Sequence, residues 1–384
     1  MAGLNCIRLL NAPTAAGIAH WIEQHHEDDY TTLVLDIGAS RAEATVLQVF
    51  NGIFEVRSGA ADTLLGGRAY DERLLHCLSL RETSGCQDGC LDACESLKVS
   101  LSTDESGQLG CDLPVTREQF EDICWDLFRA TVALVERALR DAKYSKLGIT
   151  EVVMTGGSVQ MPMLQKVISD FFDRPCTVIR NPEMASVRGS ALYAAASFSP
   201  GSIAAMLVID MKPSSVHLEI PSCPLVQLYP HNVVTGNKTT ANVVFIPGMK
   251  LPRYLRLIEK DVIPTLIGIF DLTLLASESE MSRGLVLQIT ADVDMDGIIE
   301  ASVAPVSPDF DADFRLPIKK QTTLISEKSL LQSCISFLKV LTNNFASPLQ
   351  QDPLQAVISQ TELELYNSPQ DYEKESLALC SLFQ

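Results

Sequence analysis

The stretch VLDIGASRAEATVLQVFNGIFEVRSGAADTLLGGRAYDERL, residues 34–74, decides how this chain is read. It opens inside a short apolar strand, Thr32 to Asp36, which ends on a carboxylate and enters the turn Ile37-Gly38-Ala39-Ser40. Two further strands, Ala44 to Phe50 and Ile53 to Gly59, flank Asn51-Gly52. Asn-Gly between apolar runs predicts a hairpin, because a type I′ turn needs positive φ at both positions. Gly66-Gly67 follows, within a segment from Thr63 to Leu80 that takes on helical spacing. A carboxylate at a strand end beside a glycine turn can hold a metal-bound water near a phosphate, with the turn's amides facing the phosphate oxygens. On its own, such an aspartate is more often a turn former.

Working outward, a second strand–turn–helix unit is EVVMTGGSVQMPMLQKVISDFF, residues 151–172. Its strand runs from Glu151 to Met154, its turn is Gly156-Gly157-Ser158, and its helix runs from Met163 to Phe172. Two glycines at such a junction let a ligand approach the backbone and leave amides free at the helix start. A tight left-handed turn explains them equally well. Residues 5–24 predict a helix disturbed by Pro13, and a second helix is expected from Asp92 to Leu101. Thr116 to Ala142 predicts one long amphipathic helix, opened by a capping box between Thr116 and Gln119. Ala185 to Ala196 reads as a small-residue helix.

Strands and helices alternate as far as Phe198, which predicts an α/β fold. The pattern changes near Ser197-Phe198-Ser199-Pro200-Gly201. Beyond it, short apolar runs predict an all-β domain: Met206 to Met211, Val216 to Ile220, Val243 to Pro247, Ile269 to Leu275, Leu285 to Val293 and Ile298 to Val303. From Ser326, Leu330, Ile335, Leu338 and Leu341 fall on a helical stripe. The expected domains are 1–198, 199–322 and 323–384.

The formal net charge of -18 argues against a nucleic-acid partner, which needs local excess of Lys and Arg. No apolar run reaches the roughly 18 residues that span a bilayer, and the first residues lack a basic start. A cytoplasmic location away from membranes is therefore expected, with the cysteines as reduced thiols. Cys86, Cys90 and Cys94 would share a helical face, but Gly85, Gly89 and the missing fourth ligand argue against zinc. Asp292-Asp294-Asp296-Gly297 imitates the start of a calcium loop. Its twelfth position falls on Val303, so a hairpin turn is expected instead. His20, His25 and His26 lie near Glu27-Asp28-Asp29 and read as surface loop.

Taken in order, these segments resemble the heat-shock-70 chaperone family, which shares its ATPase fold with actin and sugar kinases. Residues 34–74 look like its second phosphate motif, its Gly-Ile-Phe-Glu-Val hairpin and its Leu-Gly-Gly turn. Residues 151–172 look like its adenosine motif. Asn181-Pro182-Glu183 with Gly189-Ser190-Ala191 is similar to its Asn-Pro-Asp…Gly-Ala-Ala helix. Asn11-Ala12-Pro13-Thr14-Ala15-Ala16 is similar to its Asn-Glu-Pro-Thr-Ala-Ala segment. The likeness covers roughly residues 2–196 in unbroken order, with a shortening near residues 80–92. Farther on, Met206 to Ile220, Phe270 to Thr273, Gln288 to Thr290 and Asp292 to Val303 resemble the linker and β domain of the family. Val243 to Pro252 is similar to a segment of its ribosome-associated branch. The resemblance implies an α/β fold: an incomplete actin-like (ribonuclease H-like) ATPase domain lacking its first lobe, then a divergent β-sandwich and a short helical tail.

It also implies site residues. Asp36 matches the catalytic-site aspartate; Gly38, Glu95, Lys98, Ser102, Gly156, Gly157, Ser158, Gln160 and Glu183 match nucleotide-contacting positions. Glu95, Lys98 and Ser102 share one helical face, although Glu95 and Lys98 also read as a solvated ion pair. The departures matter. Ala39, Ser40 and Arg41 stand where the family has Gly, Gly and Thr. Ala12 replaces a glutamate, Glu43 an aspartate, and Val99 and Gln160 the two arginines that flank adenine. The expectation is a chaperone-related protein that does not hydrolyse nucleotide and acts in protein folding through client or co-chaperone binding. ATP or ADP would bind weakly, with magnesium only alongside it. The implied partners are unfolded or nascent polypeptide, a J-domain co-chaperone or ribosome-associated factors. Two alternatives stay open: an ATP-dependent chaperone whose first lobe is missing from the gene model, and a sugar-kinase-type enzyme.

Overall fold

A computed structural model describes residues 6–24, 30–79, 90–109, 113–198, 206–221, 223–246, 251–261, 264–275, 285–306 and 316–320. The expected helical tail, Cys86, His25 and His26 lie outside these residues. The chain divides into two compact units.

The first unit comprises residues 1–214, 231–237 and 293–299. It is built on a six-stranded sheet. β1 (Tyr30–Ile37) runs antiparallel to β2 (Ala42–Phe50), and β2 antiparallel to β3 (Ile53–Asp62). The β2–β3 turn has φ 48° at Asn51 and 75° at Gly52, as the Asn-Gly pair predicts. Two short strands, β4 (Ser106–Leu109) and β5 (Leu113–Thr116), form a separate hairpin. On its other side β1 pairs parallel with β6 (Glu151–Thr155), which pairs parallel with β7 (Thr177–Val178). β8 (Leu207–Ile209) adds parallel to β3 and completes the order β7-β6-β1-β2-β3-β8. β9 (Met211–Lys212) pairs with the short strand Val233–Val234 (β12). The first unit thus continues past residue 198, the boundary expected from composition.

Strand period two sorts the core. Val34 packs with Ala16, Val153, Ile179 and Ala185, under α1 (Ala12–Gln24) and α7 (Ala185–Phe198). Leu33, Leu35 and Ile37 point to the opposite face, with residues of α2 (Gly67–Ser79), α3 (Cys90–Ser100), α4 (Arg117–Ile123), α5 (Trp125–Ala142) and α6 (Pro162–Phe172). Two helix expectations need correction. Residues 6–11 are not helical: α1 starts at Ala12, with Pro13 in its first turn, where a missing N–H costs little. The helix expected from Thr116 to Ala142 is broken at Cys124, whose ψ of 9° leaves the helical range. The capping box is present: Thr116 Oγ1 accepts from Gln119 N at 3.2 Å, and Gln119 Oε1 accepts from Thr116 N at 3.0 Å.

His20 is a further correction. It is buried within α1, with Nε2 3.1 Å from Glu151 Oε2. Tyr30 OH and Thr177 Oγ1 donate to the same carboxylate at 2.6 and 2.5 Å. Burial raises the Glu151 pKa, but these hydrogen bonds outweigh it and hold the value down to about 2, from an ordinary 4.5. A depressed folded-state pKa contributes stability that is present above the unfolded value and lost as pH falls. Acid unfolding should therefore show stability falling away between about pH 4.5 and 2. Glu151→Gln should flatten that limb in pH-dependent urea melts; a limb of unchanged slope would contradict this account.

The second unit comprises residues 215–230, 238–292 and 300–384. β10 (Ser215–Glu219), β11 (Val226–Tyr229), β14 (Tyr254–Lys260), β15 (Thr265–Asp271) and β19 (Lys319–Lys320) form one antiparallel sheet, in the order β11-β10-β14-β15-β19. β13 (Asn237–Phe245), β16 (Leu285–Val293), β17 (Ile299–Pro305) and β18 (Leu316–Pro317) form the other, in the order β13-β16-β17-β18. Along β16, Leu285, Leu287, Ile289, Ala291 and Val293 are buried and the residues between them are half-buried, as strict alternation demands. Tyr229 OH, from the first sheet, donates to the Ala291 carbonyl of the second at 2.7 Å. The aspartate run forms the β16–β17 turn. Asp294 Oδ1 accepts from Asp296 N and Ile298 N at 2.9 and 2.8 Å, so this carboxylate closes the turn, as expected.

Candidate functional site

β1 and β6 are parallel neighbours, so their C-terminal ends open side by side, with Asp36 opposite Thr155. The loops that follow are bonded into one assembly, and the Gly38 carbonyl is its node. It accepts from Gly67 N at 2.9 Å and from Ser158 Oγ at 3.0 Å. Gly38 N donates to Arg41 O at 3.0 Å, and Arg68 N to Ala39 O at 2.8 Å. A side chain at Gly66 would sit 2.5 Å from Ala39 O and 2.6 Å from Arg41 N, which is why glycine stands there. Gly156 N and Thr155 Oγ1 both donate to Pro182 O, at 3.0 and 2.7 Å, which seats the Asn181-Pro182-Glu183 segment against this loop. Gly157, by contrast, faces open space: nothing lies within 4 Å of where its Cβ would be.

Strand parity puts Asp36 on the α1 face, half-buried. Burial raises its pKa, and the nearby Arg41 charge opposes the rise. Arg41 is exposed and forms an ion pair with Glu43, the residue opposite Asp36 in β2. The carboxylate nearest to Asp36 across the strands is thus already paired with a cation.

The α3 residues separate. Glu95 is exposed, while Lys98 is buried. Lys98 Nζ donates to Asp71 Oδ2 at 2.7 Å and to the Gly67 carbonyl at 2.9 Å. The reading of Glu95 and Lys98 as a solvated pair is therefore wrong: the ammonium belongs to α2. Ser102 Oγ donates to the Lys98 carbonyl at 3.2 Å. Gln160 and Glu183 are exposed. The fold thus joins Gly38, Gly67, Lys98 and Ser158 in one bonded chain, with Asp36 and Gly156 beside it. Sequence reasoning missed Asp71. Its signal is faint, an acid one helical turn beyond Gly-Gly, and its partner lies 27 positions away.

Among the described residues, no group of three or more His, Cys, Asp or Glu side chains could hold a metal ion. No described helix is long and apolar enough to cross a membrane.

A family model described as Hsp70 protein matches residues 1–333. The chain belongs to the Hsp70 family. A heat shock 70 kDa protein of Neurospora crassa is 33% identical over 333 residues, covering 79% of this chain and 51% of the relative. One from Penicillium citrinum is 31% identical over 331 residues, covering 79% and 65%. The chaperone protein DnaK 1 of Synechococcus is 29% identical over 338 residues, covering 79% and 43%. The chain thus spans about half the length of the Hsp70 relatives it matches. The family match agrees with the order of motifs, and the mixed α/β content of the first unit accords with it.

Proposed function

We propose that this Hsp70-family chain is a chaperone-related protein that binds nucleotide weakly, does not hydrolyse it, and acts in protein folding through client or co-chaperone binding. The Arg41–Glu43 pair carries the reading. It occupies the phosphate turn where the family's small residues would admit phosphate and where a free carboxylate would help to position magnesium and water. Nucleotide itself fits the remaining loops. Gly157 leaves room at a strand–helix junction, and Ser158 and Lys98 are tied to the same turn. In the adenine slot, Val99 and Gln160 would forgo two cation–π or stacking contacts, each worth about 0.5–2 kcal/mol, which lowers affinity by roughly one or two decades. When bound, a nucleotide would bring its own magnesium; this chain would contribute Asp36 beside the phosphates and Glu95, Lys98 and Ser102 beside the sugar and base.

The interaction half of the reading draws on α7. Val187 and Phe198 lie on it, 60% and 71% exposed, and Met184, just before it, is 48% exposed, so apolar side chains here are open to a protein contact. The two antiparallel sheets of the second unit, read as a β-sandwich, are the proposed site for unfolded or nascent polypeptide. J-domain or ribosome-associated factors are the proposed partners, and the cytoplasm the proposed compartment.

Calorimetry with ADP and ATP on the purified chain should give affinities weaker than micromolar, and phosphate release should stay at background. Turnover that Asp36→Asn abolishes would overturn the reading in favour of an ATP-dependent chaperone.

A further inference from the structure

Lys98 and Asp71 form an ion pair whose side chains are only 8% and 6% exposed. Such a pair is costly to bury, and a hydrophobic pair of similar volume would often serve stability as well or better. Its position suggests why it is charged. Lys98 stands in the last turn of α3 and reaches the first turn of α2, where its second bond is to the Gly67 carbonyl. Gly67 N in turn donates to the Gly38 carbonyl, the acceptor shared with Ser158. There is no spare room: a Cβ on Gly67 would lie 2.7 Å from Ser158 Oγ and 3.1 Å from Lys98 Nζ. One unbroken series of bonds therefore links Asp71 through Lys98, Gly67 and Gly38 to Ser158. An ammonium has three N–H donors, and Asp71 and Gly67 take two of them. Asp71 Oδ1 is buried and has no protein partner among the described residues.

We propose that Asp71 is a positioning residue: it holds the Lys98 ammonium against the Gly67 carbonyl, so that one N–H remains for the sugar of a bound nucleotide. The inference rests on the nucleotide-site reading above. Asp71 itself touches no ligand in this scheme; it acts through Lys98. A flexible lysine without this clamp would lose rotamer freedom on binding, and preorganisation removes that cost.

The test is a double-mutant cycle on the full chain, with ADP and inorganic pyrophosphate as probes in calorimetry. Asp71→Asn keeps the shape and removes the charge. It should weaken ADP about tenfold and leave pyrophosphate, which has no sugar, unchanged. Lys98→Met should weaken ADP at least as much, and adding Asp71→Asn to it should cost nothing further. A merely structural role would instead lower both ligands together with the melting temperature. Should Asp71→Asn fail to fold, Asp71→Ser carries the same comparison, since it leaves space for a water. If the wild-type chain binds ADP and Asp71→Asn binds it equally well, the positioning role is wrong. A further loss on the Lys98→Met background would also sink it. If the wild-type chain binds neither probe at millimolar concentration, the nucleotide reading itself falls and this role falls with it.

Discussion

Gly189→Ala should strongly destabilise the first compact unit. Gly189 is where α7 crosses α1, and a Cβ there would overlap the carbonyl oxygen and carbon of Ala15 and lie 3.1 Å from its Cα. These are backbone atoms of a helix, so no rotamer change relieves the clash. Relief requires the two helices to part. Parting would loosen the Ala16, Val34, Val153 and Ala185 cluster, the Ser186 Oγ bond to the Ala12 carbonyl at 3.1 Å and the Arg188–Glu23 pair. Overpacking usually costs about 1–3 kcal/mol and occasionally more. The immovable neighbour puts this case at or above about 3 kcal/mol, a large share of a typical domain's stability. Ser190→Ala, on the exposed side of the same helix, should stay within about 0.5 kcal/mol. Urea melts of both variants decide it, and a Gly189→Ala midpoint close to wild type would refute the crossing argument.

The adjacent glycines of the β6 loop should respond in opposite ways. Gly156 has φ 88° and ψ 154°, a region that only glycine occupies comfortably. Its Cβ would also overlap the Ile37 carbonyl and lie 2.7 Å from Asp36 Oδ1. Gly156→Ala should therefore cost about 2–4 kcal/mol in strain and collision. Gly157→Ala meets empty space and should leave the melting temperature unchanged. If a nucleotide approaches this loop, however, the added methyl stands in its path and ADP affinity should fall at least tenfold. Thermal melts combined with calorimetry separate the two effects. Unchanged ADP binding by Gly157→Ala would move the ligand away from this loop.

Local rules carried much of the fold. Asn51-Gly52 dictates positive φ through its own chemistry, Thr116 and Gln119 cap each other across three residues, and β16 alternates without interruption. What failed depended on distant partners. His20 sits near an acidic stretch in sequence, yet its carboxylate partner is 131 positions away. β14 carries Arg256, Glu259 and Lys260 among its apolar residues, and becomes a strand because β10 and β15 flank it. Cys124 divides a continuous helical pattern without a proline or glycine to mark it. The candidate site follows the same division. Its glycines are visible as motifs, but whether Lys98 faces solvent or Asp71 is decided by how α2 and α3 meet.

β8 has a consequence for the order in which the chain acquires structure. Its three residues, Leu207–Ile209, pair with Ile53, Phe54 and Glu55, more than 150 positions earlier. Until they arrive, the open side of β3 is an unpaired strand edge, the kind of surface that recruits other chains. Residues 231–237 and 293–299 also belong to this unit. During synthesis the unit cannot finish folding until residue 299 has emerged, at some 5–20 residues per second. A fragment cut at residue 198 would keep that edge permanently bare, and should aggregate where one ending after residue 299 stays dispersed.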